Sequence, residues 1–398
     1  MINIKQIRLK PTKEKSILRF HPWVFSGAIK EVDSDIIEGD IVEVISNKGR
    51  YLATGHYQIG TISVRIFEFK QQPIDDNYWS TKIAKAISLR KDLGFIDNET
   101  TNIFRLVHAE GDEMPGCIID VYNTAAILQF HSFGMWKLRN IFSNIIQKLM
   151  PKIEYIYDKS SKTLPEKFIV ENTITNSYLF KSGNEDQVIA SEHNNLFKID
   201  WINGQKTGFF IDQRENRQLL GQLSKGKKVL NTFCYSGGFS VFALNGGAKE
   251  VHSLDSSKKA IELVEKNLEL IDSDVGKHEL IVEDAMDFIK NLKEDYDIIV
   301  LDPPAFAKHQ KVRHKAIQGY KRLNARAIEQ IKPGGILFTF SCSQVIDKEL
   351  FRHTILSAAI NAGRSVKILH QLHQPADHPV NIYHPESEYL KGLVLKIN

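Results

Sequence analysis

Over the first seventy residues apolar and polar positions alternate in short runs, such as Asp40-Ile-Val-Glu-Val-Ile45 and Thr61-Ile-Ser-Val-Arg-Ile-Phe67, separated by Gly39, Gly49, Gly55 and Gly60. A period of two turns one face of a strand to a core and the other to water, so this segment is predicted to be a small β-barrel-like domain. After the linker-like Gln71-Gln-Pro-Ile-Asp75 the period lengthens to that of a helix, from Tyr78 to Leu93. Strand-like runs follow at Ile103 to Val107, Cys117 to Val121 and Thr124 to Phe130. A helix from Trp136 to Met150, closed by Pro151, and a strand from Ile153 to Tyr157 complete a small α+β middle domain.

From Lys227 the pattern becomes strand, helix, strand, helix. The strands are expected at Lys228 to Phe233, Glu250 to Asp255, His278 to Val282, Asp297 to Leu301 and Ile336 to Phe340. The helices between them run from Gly238 to Asn245, Lys258 to Leu270 and about Lys311 to Ile331, the last stopped by Lys332-Pro-Gly-Gly335. Such alternation predicts an α/β, Rossmann-like, doubly wound sheet with ligand chemistry at the carboxyl ends of its strands. Domains are therefore expected over residues 1–72, 73–187 and 188–398.

Composition narrows the class. At 398 residues, with 42% hydrophobic and 25% charged positions, the chain resembles a soluble protein of more than one domain. It has no apolar run long enough to span a membrane. Its first ten residues are broken by charges and do not resemble a signal peptide, so a cytoplasmic location is expected. Cys117, Cys234 and Cys342 are odd in number and far apart, which argues for free thiols and against a disulfide framework or a thiolate metal site. The net charge of +4 is unevenly spread. Lys5, Arg8, Lys10, Lys13, Lys15, Arg19 and Lys30 face a single acid, Glu14, in the first thirty residues. Lys308, Lys311, Arg313, Lys315, Lys321, Arg322 and Arg326 face none between Ala305 and Ile328. Clustered cations suit a polyanion such as RNA, although solvated surface charge gives the same pattern.

The strand ends carry the chemistry. The first strand runs into Phe233-Cys-Tyr-Ser-Gly-Gly-Phe-Ser240, a turn with two glycines suited to close approach of a ligand. Phe233, Ser236 and Gly237 are its candidate contacts. Asp255, closing the second strand, is placed to accept from both ribose hydroxyls of an adenosine. The three-glycine spacing of a dinucleotide fold and a Walker lysine are both missing, so a nucleoside without a pyrophosphate fits better. Asp284 sits where an acid can accept from the adenine amino group or cap the following helix. The fourth strand ends in Leu301-Asp-Pro-Pro-Ala-Phe306, in which Pro303 and Pro304 stiffen the loop and Phe306 offers a face to a base. That loop by itself suits methylation of an exocyclic amine. Cys342, after the fifth strand, points instead to carbon-5 of a pyrimidine, because that carbon becomes nucleophilic only after a thiolate attacks carbon-6.

With these motifs in place, the chain resembles the RlmI-type family of bacterial ribosomal RNA large-subunit cytosine-5 methyltransferases. The resemblance spans nearly the whole length. It rests on His21-Pro-Trp-Val-Phe-Ser-Gly27, Met114-Pro-Gly116, Gly204-Gln-Lys-Thr-Gly-Phe-Phe-Ile-Asp-Gln-Arg-Glu-Asn-Arg217, Pro375-Ala-Asp-His-Pro379 and Glu388-Tyr-Leu-Lys-Gly392. It implies an N-terminal PUA RNA-binding domain, a central α+β domain and a methyltransferase domain using S-adenosylmethionine. It places Gln213 and Arg214 against the cofactor, Gly237 in its loop, Asp255 on its ribose and Asp284 near its adenine, with Asp302 also beside it. Cys342 is the expected nucleophile, with Asp302 hydrogen-bonding the ring nitrogen. Pro303, Pro304, Phe306, Lys308, Lys311, Arg313, Tyr320, Lys321 and Arg322 are the expected contacts to 23S ribosomal RNA or an assembling large subunit, with Tyr320 a stacking partner. Neither a metal nor a membrane is implied, and a homodimer is compatible with the pattern. Two-cysteine relatives carry a second thiol beside the fourth-strand proline. Here Asp302-Pro-Pro-Ala has none, so the carbon-5 proton must leave to another base.

Overall fold

The computed structural model describes residues 4–184, 187–271, 275–292, 295–307 and 309–398, so the expected RNA contact Lys308 lies outside the described residues. The chain forms two compact units: Met1–Ser191 with Ile199–Ile211 and Ala376–Ser387, and Glu192–Lys198 with Asp212–Pro375 and Glu388–Asn398.

The first unit contains a six-stranded sheet. Lys5–Leu9 pairs parallel with Ile41–Ile45, and Tyr51–Tyr57 and Ile62–Glu68 extend it antiparallel. Its apolar positions, among them Ile7, Val42, Val44, Val64 and Ile66, close one core. A separate five-stranded sheet carries Ile103–His108, Cys117–Tyr122 and Ala125–Phe130. The helix Asp76–Asp92 packs on it through Trp79 and Ile83 and is capped by the Asp75 carboxylate, which accepts from the Tyr78 amide at 2.8 Å. The single helix expected from Trp136 to Met150 is two, Phe133–Lys137 and Arg139–Leu149, because Leu138 departs from helical geometry with ψ near 0. A purely periodic reading passes over such a break, since both halves bury the same face.

The second unit is built on β1 (Lys228–Thr232), β2 (Glu250–Asp255), β3 (Lys277–Val282), β4 (Ile298–Leu301), β5 (Gly335–Ser341), β6 (Val366–His373) and β7 (Lys391–Ile397). The sheet order is β3-β2-β1-β4-β5-β7-β6. β1 to β5 are parallel, and β7 runs antiparallel to both its neighbours. The helices are α1 (Arg214–Leu223), α2 (Gly238–Asn245), α3 (Lys258–Leu268), α4 (Ala285–Lys290), α5 (Arg313–Gln330) and α6 (Lys348–Ala362). The predicted doubly wound sheet is present. From β1 the chain winds outward to β2 and β3, then crosses back to β4 and β5. The reversal lies between β1 and β4, where the first turns of the two halves diverge and leave a crevice beyond the carboxyl ends. Among the described residues no helix is long and apolar enough to cross a membrane.

Candidate active site at the carboxyl ends of the sheet

The β1–α2 turn is held in a costly shape. Phe233 and Tyr235 have φ of +54° and +46°, and Gly237 has +76°. Left-handed backbone at bulky residues persists only where the surroundings over-determine it, and it concentrates at functional sites. Here the Cys234 amide donates to the Leu254 carbonyl at 3.1 Å and the Gly237 amide to the Cys234 carbonyl at 2.8 Å. Asn267 of α3 donates to the Ser236 carbonyl at 2.7 Å. A Cβ on Gly237 would lie 2.8 Å from Cγ1 of buried Val264, so a side chain there meets a packing clash in addition to a left-handed backbone that favours glycine.

Asp255 closes β2 against the same turn. Its carboxylate accepts from the Tyr235 amide at 3.1 Å and the Ser257 amide at 2.9 Å, which fixes its orientation and leaves lone pairs for further donors. Asp284 caps α4, accepting from the Met286 and Asp287 amides at 2.8 and 3.2 Å through one oxygen. Asp284 is therefore a helix cap, and its other oxygen remains for a ligand. A glycine-cradled turn followed by an acid at the next strand end fits an adenosine-bearing cofactor.

β4 and β5 are neighbours with Leu301 opposite Thr339, so Asp302, one residue past that pair, and Cys342, three past it, leave adjacent strand ends, close enough for the Asp302 charge to act on the thiol. Pro303 is buried and Pro304 exposed. Phe306 lies against Tyr320 of α5, ring centroids 4.5 Å apart, over Gly319, whose absent side chain makes room for the ring. Tyr320 itself is fully buried in the core and also meets Phe351. Its ring is thus closed to a stacking base, and it supports Phe306 from below instead. The position was readable: Ala316, Tyr320, Leu323 and Ala327 recur at helical spacing, which marks the inward face of α5. Lys311 and Arg322 are exposed, and Arg313 and Lys321 are half-buried.

The electrostatics of this corner are unusual. Burial, reinforced by the Asp212 carboxylate, raises the Asp302 carboxyl to about 7, while a hydrogen bond with Gln213 and the charge of Arg217 pull the other way. The Cys342 thiol, partly buried, is pushed up to about 12 by burial and then by Asp302 and Asp212, with Lys391 opposing them. Tyr320 is raised to about 12 by burial, and its hydroxyl finds no partner of good geometry, although Ser341 and the Phe306 backbone lie close enough to draw it down. Cys117 and Cys234 are buried, raised far above the usual thiol range by burial, and free, as is Cys342. Cys117 and Cys234 pack as small apolar side chains within hydrophobic clusters.

Gln213 and Arg214 stand at the start of α1. Gln213 accepts from Asn216 at 2.6 Å, and Arg214 is fully buried with an ion pair to Glu215 at 3.2 Å. The sequence motif around them held two further residues whose roles were not read from it. Asp212 accepts from the Tyr389 hydroxyl at 2.7 Å and faces Asp302 and Cys342. Arg217 makes a bidentate pair with Glu192, both contacts 2.7 Å and both side chains buried. Lys391 was also missed; it reaches the corner only through the pairing of β5 with β7.

Residues 178–394 match the family model of S-adenosylmethionine-dependent methyltransferases, and residues 7–69 match a PUA-like domain. The chain is 38% identical over 397 residues to the ribosomal RNA large subunit methyltransferase I of Tolumonas auensis, with 98% of each chain covered. It is 36% identical over 395 residues to the protein of that name from Aeromonas hydrophila, with the same coverage. Among solved structures, a SAM-dependent methyltransferase from Streptococcus mutans superposes with a TM-score of 0.84 at 22% identity, covering 98% of this chain and 99% of that one. A methyltransferase solved in complex with SAH superposes equally well. At that identity the likeness speaks for the fold.

Proposed function

The chain belongs to the ribosomal RNA large subunit methyltransferase I family, and from that membership we propose that it methylates carbon-5 of a cytidine in large-subunit ribosomal RNA. It is an S-adenosylmethionine-dependent methyltransferase with a PUA-like domain. The observation that carries the finer reading is the emergence of Cys342 and Asp302 from adjacent parallel strands, one a thiol and the other a carboxyl that titrates near 7.

Bound S-adenosylmethionine supplies an electrophilic methyl group. Gly237 would cradle it, Asp255 would accept from its ribose and Asp284 would reach its adenine, with Phe233, Ser236, Gln213, Arg214 and Asp302 lining the site. A cytidine flipped out of the RNA rests on Phe306 beside Pro303 and Pro304. The Cys342 sulfur, once deprotonated, bonds to carbon-6, and the displaced electron pair moves toward carbon-5 and the ring nitrogen N3. Asp302, half protonated at neutral pH, donates to N3 and stabilises that charge. While it still carries that proton Asp302 is uncharged and does not oppose the thiolate. Carbon-5 takes the methyl group, its proton leaves to a base, and the sulfur–carbon bond breaks to restore Cys342. Lys311, Arg313, Lys321 and Arg322 hold the flanking phosphates.

The rival reading is methylation of an exocyclic amine with Cys342 a bystander, which Asp302-Pro-Pro-Ala-Phe306 alone would favour. Bisulfite mapping of ribosomal RNA from cells carrying Cys342→Ala separates them. Loss of a 5-methylcytidine supports carbon-5 chemistry; undiminished methylation with the variant defeats it.

A further inference from the structure

The segment Glu388-Tyr-Leu-Lys-Gly392 is prominent in the sequence, yet the reaction above gives it no task. Its lysine opens β7 and stands opposite Ser341 in the antiparallel register with β5, one residue from the thiol. Lys391 is only 5% exposed. Its Nζ donates to the Ser343 carbonyl at 2.7 Å and to the Tyr389 carbonyl at 2.8 Å. The ammonium is thereby pinned beneath the Ser341-Cys342-Ser343 turn. The same turn is held from the other side, where the Ser343 hydroxyl donates to the Ala307 carbonyl. An ammonium has three protons, so one remains after both carbonyls are served.

We propose that Lys391 is the positioning residue for Cys342: its ammonium, fixed under the turn by two carbonyls, is the charge partner that allows the thiolate to form in a corner otherwise lined by acids. This rests on the reading of Cys342 as nucleophile. Among the described residues the groups facing the thiol are Asp302 after β4, Asp212 at the entry to α1 and Tyr320 of α5, with Lys391 a cation that counters them. The groups facing Lys391 are Cys342, Asp347 at the start of α6 and Glu388, with Lys348 opposing. Burial lowers Lys391 to about 8, so the cation is present at neutral pH and is lost as pH rises through that value.

That sequence of events has a signature a merely structural strap lacks. The alkylation rate of a thiol follows its thiolate fraction, which grows tenfold per pH unit while the surroundings stay constant. In the full-length wild type, the logarithm of Cys342 iodoacetamide alkylation, read by peptide mass spectrometry between pH 6 and about 9.5 with Cys342→Ala as blank, flattens near pH 8 as the cation is lost. Lys391→Met is about tenfold slower than wild type at pH 7, rises with unit slope throughout and meets the wild-type curve above pH 8. Lys391→Arg, whose charge persists, keeps the fast rate at pH 7 and does not flatten. Superposed profiles for wild type and Lys391→Met overturn the proposal. Should Lys391→Met fail to fold, an unbroken unit slope in the wild type through pH 8 overturns it alone. These measurements need neither RNA nor cofactor. Failure of the nucleophile reading, shown by methylation surviving Cys342→Ala, is therefore told apart from failure of the lysine's role.

Discussion

Two regions of this molecule bury acids among cations, and they do so in opposite ways. In the first unit Arg90 meets Asp112 through two contacts, one of 2.8 Å, and donates to the Arg105 and Asp377 carbonyls at 2.7 and 2.8 Å. Arg105 binds Asp120 at 2.7 and 2.9 Å, Thr207 adds a bond to Asp120 at 2.7 Å, and Asp377 accepts from the Arg105 amide at 2.8 Å. Each of these buried carboxylates has a partner of matched geometry, the condition under which burial is tolerated. At the strand ends of the second unit, Asp302 and Asp212 crowd one thiol, and one acid is driven to about 7. The same residue types are matched in one region and perturb one another in the other, which is where the proposed mechanism puts the chemistry.

The comparison breaks first at Cys342. Under the proposed mechanism, replacing it with alanine removes the nucleophile, so transfer to ribosomal RNA is expected to fall at least about a thousandfold. Calorimetric titration of the variant with S-adenosylmethionine should give the wild-type affinity. A lost cofactor affinity would assign the thiol to binding.

Next in size is the matched region. Asp112→Ala strands the buried Arg90 guanidinium, and unfolding by urea should show a loss of about 3–5 kcal/mol. Cofactor affinity at a temperature well below the transition should stay put. A loss of under about 1 kcal/mol would mean the pair is not desolvated as its geometry indicates.

Asp302 comes third. Under the same mechanism Asp302→Ala removes the donor to N3 and should lower kcat about a hundredfold. Asp302→Asn restores part of it. The wild-type acid must be protonated to donate and titrates near 7, so its contribution is full below that pH and fades above it. The asparagine variant donates at every pH and should lack the fading. Identical pH profiles would remove Asp302 from the proton inventory.

How much of this was legible in the residues follows the range of the contacts involved. The alternation from Lys228 to Phe340 carried the switch point, and with it Asp255, Asp302 and Cys342 at the strand ends, because βαβ units are local in sequence. Tyr320 was misjudged despite a local signal, its helical spacing with Ala316 and Leu323. Lys391 had no local signal: its polar side chain opens an apolar strand, and only the register with β5 brings it beneath the thiol. The grouping of Ala376–Ser387 with the first unit was equally hidden, since Asp377 is tied to Arg90 and Arg105 far away in the chain.

The smallest expected effect tests whether the cofactor turn is constrained by its backbone or by its packing. Phe233 and Tyr235 hold positive φ with full side chains, so φ alone does not forbid a larger residue at 237. What sets Gly237 apart is Val264, whose Cγ1 would stand 2.8 Å from a new Cβ and which is itself fully buried. Gly237→Ala should therefore cost about 1–3 kcal/mol of stability and weaken S-adenosylmethionine binding. Adding Val264→Ala relieves the clash but leaves the left-handed φ. Recovery of cofactor affinity in the double variant, beyond the sum of the single effects, locates the constraint in the packing of α3 against the turn. Strict additivity locates it in the backbone, and the turn then belongs with Phe233 and Tyr235 as strain held by the strand ends themselves.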